Sequence, residues 1–134
     1  NALLNAKISE SPDIHFDVRH DDGRFDFPAP DLSVLLGNAL DNAIESVRQL
    51  PAEERQILII FTENALFAKL VIDNPYLQEP IVIDGVLYSH KRENRKGLGI
   101  QNMEAVIKQN GGELDYSMDN QRFRLVILLK KSTK

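Results

Sequence analysis

The sequence predicts a two-layer α/β sandwich, with helices on one face of a mixed, mostly antiparallel sheet. Three observations predict it. Runs of alternating apolar residues recur along the chain, mostly in adjacent pairs. Stretches with apolar residues at helical spacing stand between them, the longest from about Asp31 to Leu50. At 134 residues with 43% hydrophobic content, the chain supports one core and a single domain over residues 1–134. The order reads helix, two strands, helix, two strands, long loop, helix, two strands, which layers helices against a sheet.

Bulk composition excludes several function classes. A net charge of -4 argues against a nucleic-acid partner held by charge. The absence of cysteine excludes disulfides and thiolate metal sites, and suits a reducing compartment. No apolar run reaches the length of a membrane span, and the first residues have no signal-peptide pattern. The chain opens inside a helical pattern without a methionine, so residues 1–11 are expected to end a helix that starts upstream.

The elements follow in order. Leu4 and Ile8 share one side of that first helix, and Ser11-Pro12-Asp13 stops it. Ile14, Phe16 and Val18 alternate with His15, Asp17 and Arg19 as a half-buried strand. Asp21-Asp22-Gly23 signals a hairpin, with Phe25 and Phe27 on a short return strand. Pro28-Ala29-Pro30 breaks it, and Asp31 or Ser33 is expected to cap the central helix, which exits near Pro51. Gln56–Thr62 and Phe67–Ile72 are expected to pair antiparallel in the middle of the sheet, and Asp73-Asn74-Pro75 to end the second strand. Regular periodicity is lost from Tyr76 to Lys96, and a loop this long in a small domain is usually functional or disordered. Gly97-Leu98-Gly99 opens a helix that buries Ile100, Met103, Val106 and Ile107 and ends at Gly111-Gly112 in the left-handed conformation. Glu113–Met118 and Arg122–Lys130 are strands around a turn at Asp119-Asn120-Gln121.

Chemistry gathers at three places. On the central helix, Leu32, Leu36, Ala39, Leu40, Ala43 and Val47 form an apolar side, opposite Asn38, Asp41, Asn42, Glu45 and Gln49. Asn38 and Asn42 stand one turn apart, and two asparagines there cost helix stability without a packing gain. Asn carbonyls and a carboxylate are hard oxygen ligands of the kind Mg²⁺ takes beside phosphates. At the strand end, Leu70, Ile72 and Asn74 share one face and Val71 and Asp73 the other, so Asn74 faces the interior and needs a partner. Its amide can meet an adenine edge as donor and acceptor together. Thirdly, Gly97-Leu98-Gly99 behind Arg95 and Lys96 puts glycines and free N–H groups at a helix start, where anions are favoured. Each feature taken alone has an ordinary reading: a solvated helix face, a turn at Asn-Pro, a glycine-eased junction.

Their order and spacing together resemble a family, the ATP-binding catalytic domain of sensor histidine kinases, in the superfamily of the gyrase, heat-shock chaperone and MutL ATPases with its Bergerat-type fold. Leu36-Gly37-Asn38-Ala39-Leu40-Asp41-Asn42-Ala43-Ile44-Glu45-Ser46 is similar to the family's N box. Gly97-Leu98-Gly99-Ile100-Gln101-Asn102-Met103 is similar to its second glycine box. Tyr88-Ser89-His90-Lys91 is similar to the Ser/Thr-x-Lys of the ATP lid in the branch that includes quorum-sensing peptide receptor kinases.

The resemblance implies ATP and Mg²⁺ as cofactors. It implies Asn42 as the Mg²⁺ ligand, with Glu45 in the same box. It implies Asn38 at the position that is a water-activating Glu in the ATPases of the superfamily. An amide cannot take that proton, which suits transfer of a phosphoryl group to a protein side chain. Asn74 falls at the adenine-binding Asp of the first glycine box, with Asp73 its rival and strand parity favouring Asn74. Gly97, Leu98, Gly99 and Asn102 fall in the second box, residues 75–97 form the lid, and Lys91 and Lys96 are candidate phosphate contacts. One departure stands out: Pro75-Tyr76-Leu77 replace the two glycines usual after the Asp.

The resemblance further implies a γ-phosphoryl transfer to a histidine on an upstream dimerisation domain, then to a response regulator, in the cytoplasmic part of a membrane-anchored bacterial sensor. His15, His20 and His90 lack the helical, acid-flanked setting of such an acceptor. The fragment itself is expected to insert in no membrane and to bind no nucleic acid. A non-catalytic module on the same fold is the alternative, motivated by the missing glycines. A soluble protein-serine kinase of the anti-sigma-factor type is a third reading, disfavoured by the helix at Asn1 and the lid pattern.

Overall fold

The computed structural model describes residues 2–20, 29–79, 81–83, 86–88 and 98–130. In chain order the elements are α1 (Ala2–Glu10), β1 (His15–His20), α2 (Ala29–Val47), a single 3₁₀ turn (Ala52–Glu54), β2 (Gln56–Glu63), β3 (Phe67–Pro75), β4 (Ile81–Ile83), β5 (Val86–Tyr88), α3 (Leu98–Gln109), β6 (Glu113–Asp119) and β7 (Arg122–Lys130). The expected hairpin at 21–23 and its return strand at Phe25 and Phe27 lie outside the described residues.

β3 is the middle strand of a five-stranded sheet in the order β1-β2-β3-β7-β6. Only β1 and β2 run parallel, and every other neighbouring pair in this sheet is antiparallel. The three helices and this mixed sheet form the expected two-layer sandwich. Period-two alternation decides which residues face the helices. On β2 these are Ile57, Ile59 and Phe61, on β3 Leu70 and Ile72, and on β7 Phe123, Leu125, Ile127 and Leu129. They meet Leu36, Leu40, Ala43 and Val47 of α2 and Met103, Val106 and Ile107 of α3 in one core.

α2 is more deeply buried than a one-sided amphipathic helix. Leu35 and Ile44, outside the expected apolar stripe, are buried as well, because α1 and α3 both pack on α2 in addition to the sheet. Lys7 of α1 reaches Asp41 of α2 at 2.6 Å. Beyond α1, Arg48 donates to the buried Ser11 at 3.2 Å, and Arg55 pairs with Asp13 at 2.8 Å. Arg55 also donates through Nε to the carbonyl of Leu50 at 2.9 Å, closing the turn that follows α2.

Four boundaries depart from the sequence reading. α2 begins at Ala29, so Asp31 lies inside its first turn and neither Asp31 nor Ser33 is the cap. Proline lacks only an N–H that a first turn leaves unbonded anyway, so Pro30 continues the helix. β3 runs to Pro75, three residues beyond the expected end, because Asp73, Asn74 and Pro75 pair with Arg124, Phe123 and Arg122. A 3₁₀ turn occupies Ala52–Glu54, which the sequence reading left without structure. The stretch expected to be without periodicity contains an antiparallel hairpin, in which Ile81 pairs with Tyr88 and Ile83 with Val86. Its three-residue strands are too short to register as an alternating pattern.

Two turns follow their sequence signals closely. α3 ends in a Schellman arrangement: Gly112 N–H donates to the carbonyl of Ile107, Gly111 N–H to that of Lys108, and Gly111 takes φ 61°. Asn120 and Gln121 both have positive φ, 52° and 60°, in the two-residue turn that joins β6 to β7.

Candidate functional site

The two asparagines of α2 differ in setting. Asn38 is half-buried, and its Nδ2 donates to the carbonyl of Val34 at 2.7 Å. A carbonyl can only accept, so this bond fixes the amide orientation, and Oδ1 is the end available as a ligand atom. Asn42, one turn on, is exposed, as is Glu45. α3 packs against α2, and Asn110 after its last turn donates to Asp31 in the first turn of α2 at 3.3 Å. α3 therefore runs back along α2 from its far half, and its N-terminus points toward the half that carries Asn42. Leu98 and Gly99 form the first turn of α3. Asn102, on the same helix, is exposed. Gly97, Lys91 and Lys96 lie outside the described residues.

Asn74 stands on the sheet. It is 2% exposed, on the helix-facing side of β3 in line with Leu70 and Ile72. Its Nδ2 donates to the carbonyl of Pro75 at 2.9 Å, so this amide is also fixed, with Oδ1 as its acceptor end. Phe123 is its register partner on β7, and the Phe123 ring stacks on Tyr116 with centroids 5.8 Å apart. Burial, and secondarily the charge of Glu104, push the Tyr116 hydroxyl up to about 12.

Asp73 and Asn74 occupy opposite faces, as strand parity requires. Asp73 lies on the outer face, where its two carboxylate oxygens accept from Arg122 Nε at 2.6 Å and Arg124 Nε at 2.9 Å. The arginines escaped the sequence reading. The signal available was an Arg-x-Arg pattern on a strand antiparallel to one carrying an outward carboxylate, the pairing that opposite charges favour across a ladder.

The donor set suits a magnesium ion delivered with a nucleotide. Among the described residues, no group of three or more His, Cys, Asp or Glu is placed to cage a metal. Asn38 and Asn42 offer neutral oxygens from one helix, which fits an ion whose remaining ligands are phosphates and water.

A family model described as a GHKL domain matches residues 28–130. Comparison with curated protein sequences gives no match. Among solved structures, the nucleotide-free catalytic domain of histidine kinase ThkA superposes with a TM-score of 0.71 at 17% identity, covering 100% of this chain and 94% of that one. The mycobacterial sensor histidine kinase MprB gives 0.69 at 20% identity, over 96% of this chain and 91% of that one. The Acinetobacter baumannii histidine kinase AdeS gives 0.69 at 15% identity, over 96% of this chain and 63% of that one. The architecture is thus that of histidine kinase catalytic domains. The chain belongs to the GHKL family.

Proposed function

We propose that this domain binds Mg·ATP between α2, α3 and the end of β3, and serves as the catalytic domain of a sensor histidine kinase. The observation that carries the reading is Asn74: a buried amide, fixed in orientation, on the helix-facing side of β3. Its Oδ1 accepts from the 6-amino group of adenine. This contact is neutral where the family's Asp gives a charge-assisted one, so adenine is held less tightly. Asn42 holds the magnesium ion, with the Asn38 oxygen beside it, and the ion supplies charge neutralisation at the phosphates. Glu45, Leu98, Gly99 and Asn102 line the phosphate side. Lys91, Lys96 and Gly97 belong to the lid segment, residues 75–97, that contacts the phosphates.

The domain's own contribution is positioning. Asn38 cannot act as a base toward water, which keeps the γ-phosphoryl for a protein acceptor. That acceptor is a histidine of an upstream dimerisation domain, and a response regulator receives the group next. The assignment places the domain in the cytoplasmic part of a bacterial sensor. Among the described residues no helix is long and apolar enough to cross a membrane.

Calorimetric titration with ATP, with and without Mg²⁺, tests the reading. Binding is expected to depend on Mg²⁺, and Asn42→Ala to weaken it by about tenfold or more, which is about 1.4 kcal/mol. Absence of heat and of any thermal shift at millimolar Mg·ATP would overturn it. That result favours the non-catalytic module, whose motivating observation is Pro75 paired in the β3 ladder where the family usually has a glycine loop.

A further inference from the structure

The helix-facing side of β3 carries the proposed adenine contact, and the outer side carries an ion-paired cluster directly behind it. Asp73 is adjacent to Asn74, and its side chain is 8% exposed. Its partners, Arg122 and Arg124, flank Phe123, the register partner of Asn74. One carboxylate therefore grips two residues of β7, one on each side of Phe123, against the last residues of β3. The grip falls near the end of the ladder: Asp73 stands two residues before Pro75, the last residue of β3, and three before Tyr76, whose N–H donates to the carbonyl of Gln121 at 3.1 Å.

A strand end is ordinarily the part of a ladder that frays. Here the interior residue nearest that end is a buried amide whose use depends on where its oxygen sits. β2 stays in register with β3 only as far as Asp73, so Asn74 and Pro75 are paired on the β7 side alone. Asp73 reinforces that side through side-chain ions. Both of its oxygens are engaged, and it points away from the helix layer, so it does not itself meet a base bound there.

The geometry points to Asp73 as a positioning residue for Asn74: held by Arg122 and Arg124 on the outer face, it fixes the end of β3 so that the Asn74 amide discriminates a 6-amino from a 6-oxo purine nucleotide. This rests on the nucleotide reading above. Arg122 and Arg124 are 39% and 45% exposed at the side chain, so the cluster is reachable by substitution without opening the core.

The test is the ratio of affinities for Mg·ATP and Mg·inosine triphosphate, measured by calorimetry well below the melting temperature. Asp73→Asn is expected to lower the ratio by about tenfold, the worth of one well-aligned hydrogen bond, while Mg²⁺ dependence persists. Arg122→Gln/Arg124→Gln, which leaves Asp73 in place, is expected to lower it equally, and the exchange Asp73→Arg/Arg124→Asp to restore part of it. Should Asp73→Asn fail to fold, the double arginine variant, which removes no buried side chain, carries the same test. An unchanged ratio in a chain with broken ion pairs overturns the proposal, since a purely structural cluster would move only the melting temperature. Loss of the ratio in Asp73→Asn but not in the double arginine variant also overturns it, because Asp73 would then be touching the base itself. If the unaltered chain binds no Mg·ATP, the nucleotide reading falls and takes this one with it. If it binds and the variants keep the ratio, only this one falls.

Discussion

The two walls of the candidate site are held by different means. Asn74 stands on a strand with ladder partners on both sides, an ion cluster behind it and a register partner, Phe123, that is stacked on Tyr116. Asn38 and Asn42 stand on a helix whose opposite face is buried but whose polar face is open. An ion pair on that face, Lys7 to Asp41, is exposed at the aspartate. The strand wall is over-determined, and the helix wall depends on apolar packing beneath it. Rigidity suits the reading of a base, where one oxygen must sit correctly. Openness suits a hydrated ion and phosphates, which bring ligands of their own.

The largest expected effect breaks the helix wall from below. Leu40 and Leu36 are fully buried under the Asn38–Asn42 face, and either changed to Ala is expected to cost about 2–5 kcal/mol, read as a shift of the denaturant midpoint. On the strand wall, Asp73→Asn removes ionic partners rather than packing. With both arginines partly solvated, the expected stability loss is about 1–2 kcal/mol by the same measurement. An equal loss at Leu40 and Asp73 would erase the contrast between the walls.

Tyr116 sharpens it by pH. Its folded pKa, about 12, stands above the ordinary 10.0, so the folded chain keeps a proton that the unfolded chain releases. The stability this gives is intact below pH 10 and is lost as pH rises toward 12. Tyr116→Phe is expected to flatten the stability profile over that interval. The smallest effect belongs to Lys7→Ala, at most about 1 kcal/mol and weaker still in high salt, because the pair with Asp41 is largely solvated.

Much of this was legible in the sequence for identifiable reasons. The apolar stripe of α2, the alternation of β2 and β7 and the glycines after α3 are strong local signals, and each produced its element. Strand parity alone put Asp73 and Asn74 on opposite faces. Three kinds of feature escaped. The sequence reading starts the helix after Pro30 and ends the strand before Pro75, although proline is harmless in a helix's first turn and at a strand's last residue. β4 and β5 are too short for a periodic signal. The outer-face grip on Asp73 needs the β3–β7 register, which joins residues 49 and 51 positions apart in sequence, and local patterns do not reveal that.

β6 borders the sheet among the described residues, and its solvent-facing row reads Glu113, Asp115, Ser117, Asp119. Such an edge presents bare backbone donors and acceptors to any strand that approaches. A second copy arriving antiparallel would set carboxylates against carboxylates along most of that row. At neutral pH the border is guarded by repulsion and needs no cover. Salt weakens that guard, because screening shortens the reach of exposed charges.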